Sequence, residues 1–118
     1  MAQKNIIGDI VMYKNRIHTI IDILASNGYE LSYVRHPVSP VRLSGVPLTP
    51  EILEKNGWKE DKGDYIDDSH HLHLCGKYDG YSVYKVVNDN IVWLTDVRNV
   101  SDLQHLLFGL GINHEMEV

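Results

Sequence analysis

Apolar and polar residues alternate along residues 8–36 with the period of a β-strand rather than of a helix. GDIVMYK reads as one strand, with Asn15 in the short turn behind it. RIHTIIDILAS follows and sets Ile17, Thr19, Ile21 and Ile23 on one face. Asn27-Gly28 is the strongest hairpin signal, because both residue types tolerate positive φ. YELSYVRH then returns as the next strand, giving an antiparallel meander.

All four prolines fall in residues 37–50, so this stretch is a connector with at most a short strand near 41–46. LTPEILEKNG (48–57) reads as a helix with marked ends. Thr49 is its N-cap, Pro50 its first residue, Leu48 and Leu53 a hydrophobic staple, and Gly57 its C′ glycine. Trp58 should fold back into the core. Four short strands follow near 64–67, 70–76, 81–87 and 91–96, with turns at Asp79-Gly80 and Asn88-Asp89-Asn90. The last helix should open on a Ser101/Gln104 capping box. Its apolar stripe is Leu103, Leu106, Leu107 and Leu110, and it should end at Gly109 and Gly111. The expected fold is α+β in a single domain, residues 1–118. A meander lobe (1–47) would precede a helix–sheet–helix lobe (48–118), whose sheet the last helix would close.

Composition narrows the class. A chain of 118 residues buries roughly two-thirds of its unfolded surface, enough to fold without staples. Its one cysteine permits no internal disulfide. The first residues, MAQKNIIGDIVMYK, lack a signal-like apolar run, and no stretch approaches the ~20 apolar residues of a membrane span. The expected location is the cytoplasm, with no membrane partner. Net charge is −5, unevenly spread. Residues 1–48 carry five basic and three acidic side chains, +2; residues 49–118 carry six and thirteen, −7. The acidic part disfavours nucleic acid.

Residues 67–75, DDSHHLHLC, concentrate the candidate chemistry. On a strand, Leu72 and Leu74 face the core and His71, His73 and Cys75 share the outer face. His-x-His on a strand is a metal-ligand spacing, because imidazoles ~7 Å apart at the backbone can converge on one ion. Zinc would need a further ligand, for which Asp68, Asp67 or His70 are the candidates. Strong zinc spacings are absent, and the simplest account is the solvated face of a half-buried strand. A nucleophilic Cys75 with His73 as base has poor geometry, since both lie two residues apart on one strand. No phosphate loop, nucleophile elbow or paired-carboxylate motif occurs, so no catalytic residue is assigned.

Binding surfaces are better motivated. His105, Phe108 and Ile112 form a second stripe on the last helix, suited to a protein partner or a second subunit. Tyr29, Leu31, Tyr33 and Arg35 would share a strand face, with Tyr13 and Arg16 near the first turn. Aromatic residues interleaved with basic ones, here Tyr13, Arg16, Tyr33 and Arg35, can stack bases and pair phosphates. Tyrosines covering a small barrel are the simpler account.

VPLTPEILEKNGW (46–58) resembles the Pro-Leu-Thr-x-Glu-x-Leu-x-x-x-Gly-aromatic segment of a family of small uncharacterised proteins from Bacteroides-type gut bacteria and their phages or mobile elements. VRNVSDLQHLLFGLGINHEMEV (97–118) is similar to that family's C-terminal segment through Val100, Leu103, Gln104, Phe108, Gly111 and Glu115. Leu107 stands where an aromatic is common there. The resemblance implies a small intracellular protein and brings no catalytic residue. IIGDIVMY…RIHTIIDI…YELSYV also resembles the opening strands of an SH3-like barrel, which implies a binding platform. The expected function is a non-catalytic interaction module that binds protein, itself included. The alternatives are a metal-binding protein or metal-dependent enzyme built on the His70–Cys75 strand, and a nucleic-acid-binding SH3-like module.

Overall fold

The computed structural model describes residues 5–25 and 28–118. In chain order the elements are β1 (Ile10–Tyr13), β2 (Arg16–Ile23), β3 (Tyr29–Leu31), a 3-10 turn (Pro40–Arg42), β4 (Ser44–Gly45), α1 (Pro50–Lys55), β5 (Lys59–Asp61), β6 (Asp64–Asp67), β7 (Leu72–Lys77), β8 (Gly80–Val87), β9 (Asn90–Val97) and α2 (Val100–Gly109). Two antiparallel sheets and two α-helices make an α+β protein, as expected. None of the described helices is long and apolar enough to cross a membrane. The chain divides into two compact units. The first runs to Pro47 and resumes over Asn99–Met116; the second is Leu48–Arg98 with Glu117–Val118.

The first unit holds a four-stranded sheet in the order β3-β2-β1-β4. Lys14 and Asn15 both take positive φ and close the β1–β2 hairpin in two residues, which sets Val11 opposite His18. Of the expected Asn27-Gly28 turn, Asn27 lies outside the described residues. Val11, Tyr13, Ile20, Tyr29, Leu31 and Val38 form the core on this sheet. The expected apolar face of β2 is turned the other way: His18 and Ile20 are buried, while Ile17, Ile21 and Ile23 are exposed. The cause is cross-strand. Val11 and Leu31 are partners of His18 and Ile20, and buried partners draw those two inward. His18 is made tolerable by donating from Nδ1 to the Ser32 carbonyl at 2.7 Å.

Helix α2 belongs to this unit and packs on β1, so the expected 48–118 lobe does not keep its last element. Its own Val100, Leu103 and Leu107 are buried. Its capping box is Asn99/Asp102, two residues earlier than Ser101/Gln104: Asn99 Oδ1 accepts from Asp102 N at 2.9 Å, and Asp102 Oδ2 accepts from Asn99 N at 3.3 Å. Gln104 is excluded from capping because it is needed in the core.

In the second unit, α1 starts and stops as its sequence dictates. Thr49 accepts from Ile52 N, Pro50 opens the helix, and Gly57 leaves it at φ +87°. Trp58 and Leu53 are buried. The sheet is a meander in sequence order, β5-β6-β7-β8-β9. Strand β5, KED, was hidden because it has no apolar residue to reveal a period. Pairing defines it instead, through a Lys62-Gly63 turn with positive φ at both positions. Tyr65, Leu74 and Val83 are successive cross-strand partners and mark the buried face. Gly80 is obligatory. It sits at φ +135°, and a Cβ there would lie 2.3 Å from the Val97 carbonyl oxygen.

Candidate functional site

Of the expected His71, His73 and Cys75 face, only His73 and Cys75 lie on the strand. β7 begins only at Leu72, and His71 sits in the preceding turn at φ +57°, exposed. Asp68 is also exposed in that turn. Asp67 organises the turn instead: Oδ1 accepts from Ser69 N at 3.1 Å and Oδ2 lies 2.8 Å from His70 Nδ1. His73 is half-buried on the strand. Among the described residues, no three His, Cys, Asp or Glu groups come together to hold a metal ion. Leu72 and Leu74 do face the core. Cys75 is half-buried, and burial followed by the Asp64 charge and hydrogen bond raises its thiol above its ordinary range. That is the reverse of what a nucleophile needs.

The residues assigned to nucleic acid are also dispersed. Tyr13 is a core residue with the Lys14 ammonium 5.4 Å from its ring centre. Tyr29 and Leu31 are buried, but β3 ends at Leu31 and Tyr33 projects from a turn at φ +62°, 99% exposed. Arg16 and Arg35 are exposed. Tyr13 and Arg16 are cross-strand partners beside the β1–β2 turn, whereas Tyr33 and Arg35 lie beyond the end of β3, so the four do not form one strand face.

The stripe on α2 separates. His105 turns inward and places Nε2 2.6 Å from Asp9 Oδ2, with its side chain 12% exposed. Asp9 is fully buried; the same oxygen accepts from Ile6 N, and Oδ1 has no hydrogen-bond partner among the described residues. Beside it, Gln104 is fully buried. It accepts from Ile10 N at 2.8 Å and donates to the carbonyls of Gly8 and His114 at 2.8 and 3.0 Å. Together they tie α2 and the C-terminal segment to the start of β1. Phe108 remains 57% exposed, edge-on to His114 at 5.2 Å, and Ile112 is half-buried.

The most developed surface lies on the second unit, on strands that carry no sequence motif. Ile66, His73, Tyr84 and Trp93 are successive cross-strand partners from β6 to β9, so they form one row on the face opposite Leu74 and Val83. The row ends at Trp93, 56% exposed, beside Ile91, 70% exposed. The indole is oriented. Its Nε1 donates to Asp96 Oδ1 at 3.3 Å; the same carboxylate accepts from Ser82 Oγ at 2.8 Å and Lys77 Nζ at 2.7 Å. Hydrogen bonds from Lys77, then Ser82 and Trp93, hold Asp96 down at a pKa of about 2. An exposed aromatic side chain fixed by a charged anchor is a preorganised contact, because part of its rotamer entropy is already lost. The chain was compared with family models, curated proteins and solved structures, and none matches.

Proposed function

We propose that the chain is a non-catalytic interaction module that binds protein through the outer face of β9 and the aromatic row beside it. The observation that carries this is Trp93: a large apolar side chain, mostly exposed, yet held by Asp96 in one orientation. Tryptophan is the residue type that most often dominates a protein interface, and Ile91, two residues before it on the same face of β9, extends the apolar contact. The half-buried Ile66, His73 and Tyr84 continue the row, so a partner would meet a broad surface. Phe108 is a separate, smaller candidate.

The test is affinity capture with the full chain from lysate of cells that make it, comparing wild type with Trp93→Ala and Phe108→Ala. Capture should fall at least about tenfold in Trp93→Ala, as for a hot-spot residue, with the unfolding midpoint unchanged. It should survive in Phe108→Ala. Full retention in Trp93→Ala together with loss in Phe108→Ala would move the contact to α2.

A further inference from the structure

Strand β9 is an edge of the five-stranded sheet, and its two edges are built differently. The other edge, β5, is three residues long and entirely charged: Lys59, Glu60, Asp61. Short charged edges are the usual protection against pairing with another chain. β9 is eight residues long and carries no charge and no proline from Asn90 to Thr95. Its main-chain groups point outward in a defined pattern. Asn88 and Asp89 take positive φ in a two-residue turn, so Val87 and Asn90 close the hairpin as a hydrogen-bonded pair. The next pair, Val86 with Ile91, is then non-bonded; Val86 N accordingly donates away from β9, to His71 O at 2.9 Å. Ile91 and Trp93 therefore turn their N–H and C=O groups away from β8. Such a row is a template for pairing with another extended backbone.

We propose that the occupant is a second copy of this chain, with β9 pairing antiparallel to itself across a two-fold axis at Val92. Residue chemistry selects both the occupant and the register. With Val92 opposite Val92, Ile91 of each copy faces Trp93 of the other. These are the residues with outward main-chain groups, so they form the hydrogen-bonded pairs. Ile91 and Trp93 also project on the same sheet face, which gives two β-branched–aromatic contacts, the favourable cross-strand type. Asp96 falls opposite Asn88 and Asp89 opposite Thr95, so no like charges meet. A one-residue slip in either direction would put outward groups opposite inward ones, and in one direction would also set Asp89 against Asp96. Pairing ends at the irregularity between Trp93 and Thr95, where the β8 register shifts.

This inference rests on the protein-binding role given to β9 and specifies the partner. The test is sedimentation velocity of the full chain over about a hundredfold range of concentration. Wild type should show a monomer–dimer equilibrium. Ile91→Pro removes an outward N–H and leaves the β8 ladder intact, so its dissociation constant should rise at least about tenfold with an unchanged circular dichroism spectrum. A second measurement does not depend on how that variant folds. In a Cys75→Ser background, Val92→Cys should give a disulfide-linked dimer on mild oxidation, and Asn90→Cys, opposite Leu94, should not. A wild type that stays monomeric at every concentration overturns the proposal, as does a dimer indifferent to Ile91→Pro, or cross-linking by Asn90→Cys in preference to Val92→Cys. A monomer that still captures another protein through Trp93 overturns self-pairing and leaves the interaction-module role standing.

Discussion

Gln104 shows how far a single side chain can depart from what its neighbours in sequence suggest. Three residues after Ser101 it has the spacing of a capping partner, yet its amide spans Ile10, Gly8 and His114 inside the first unit. Spacing cannot reveal this, because two of those partners are more than ninety residues away in the chain. Gln104→Leu keeps the volume and strands three main-chain groups, so it should cost about 3 kcal/mol, seen as a lower urea midpoint at constant slope. A loss under about 1 kcal/mol would mean that those groups find other partners. Asp96 gives the clearest pH prediction. Its carboxyl lies at about 2 in the folded chain against an ordinary 3.8, so the folded state favours the ionised form. The stabilisation is complete above 3.8 and is lost as pH falls through about 2. Carboxyl carbon shifts should titrate near 2, and the midpoint should move up toward 3.8 in Lys77→Met. Trp93 emission should change in the same acid window. A wild-type midpoint at 3.8 would show that the anchor does not form. The sequence offered no hint of it, since Lys77, Ser82, Trp93 and Asp96 meet only through the β7–β8–β9 register.

Elements with local punctuation were legible. α1 is bounded by Thr49, Pro50 and Gly57 as written, and Trp58 folds inward behind it. β7 alternates Leu72 and Leu74 into the core. Legibility failed where tertiary partners decide. The face of β2 is chosen by Val11 and Leu31, and β5 exists only because β6 pairs with it. The cap of α2 is also a packing matter. Gly45 on β4 lies against Asn99, and a Cβ there would stand 2.5 Å from Asn99 Nδ2. Gly45→Ala should therefore push the capping side chain aside and cost about 1–2 kcal/mol in thermal unfolding. In an Asn99→Gly background the same change should cost little, because the obstructing amide is gone. Equal costs in both backgrounds would show that the strain lies elsewhere.

At the scale of the whole molecule, the α+β class followed from strand and helix periods, whereas the grouping of the elements did not. Local patterns carry no record of which sheet a terminal helix will join; α2 joined the first because Gln104 and His105 answer polar groups at Gly8, Asp9 and Ile10. The second unit is thereby an insertion in the first, and Pro47 and Asn99, the points where the chain leaves and returns, are themselves paired as an antiparallel bridge. This arrangement bears on how the protein is made. Ile10 and Asp9 are separated from their partners Gln104 and His105 by 94 and 96 residues. At ~5–20 residues per second, a ribosome delivers those partners about 5–20 s after Asp9 and Ile10. For that interval the nascent first sheet has no α2 to cover it, while most of the inserted sheet has already emerged; a codon change that slows synthesis between residues 48 and 98 would lengthen the wait without altering one amino acid.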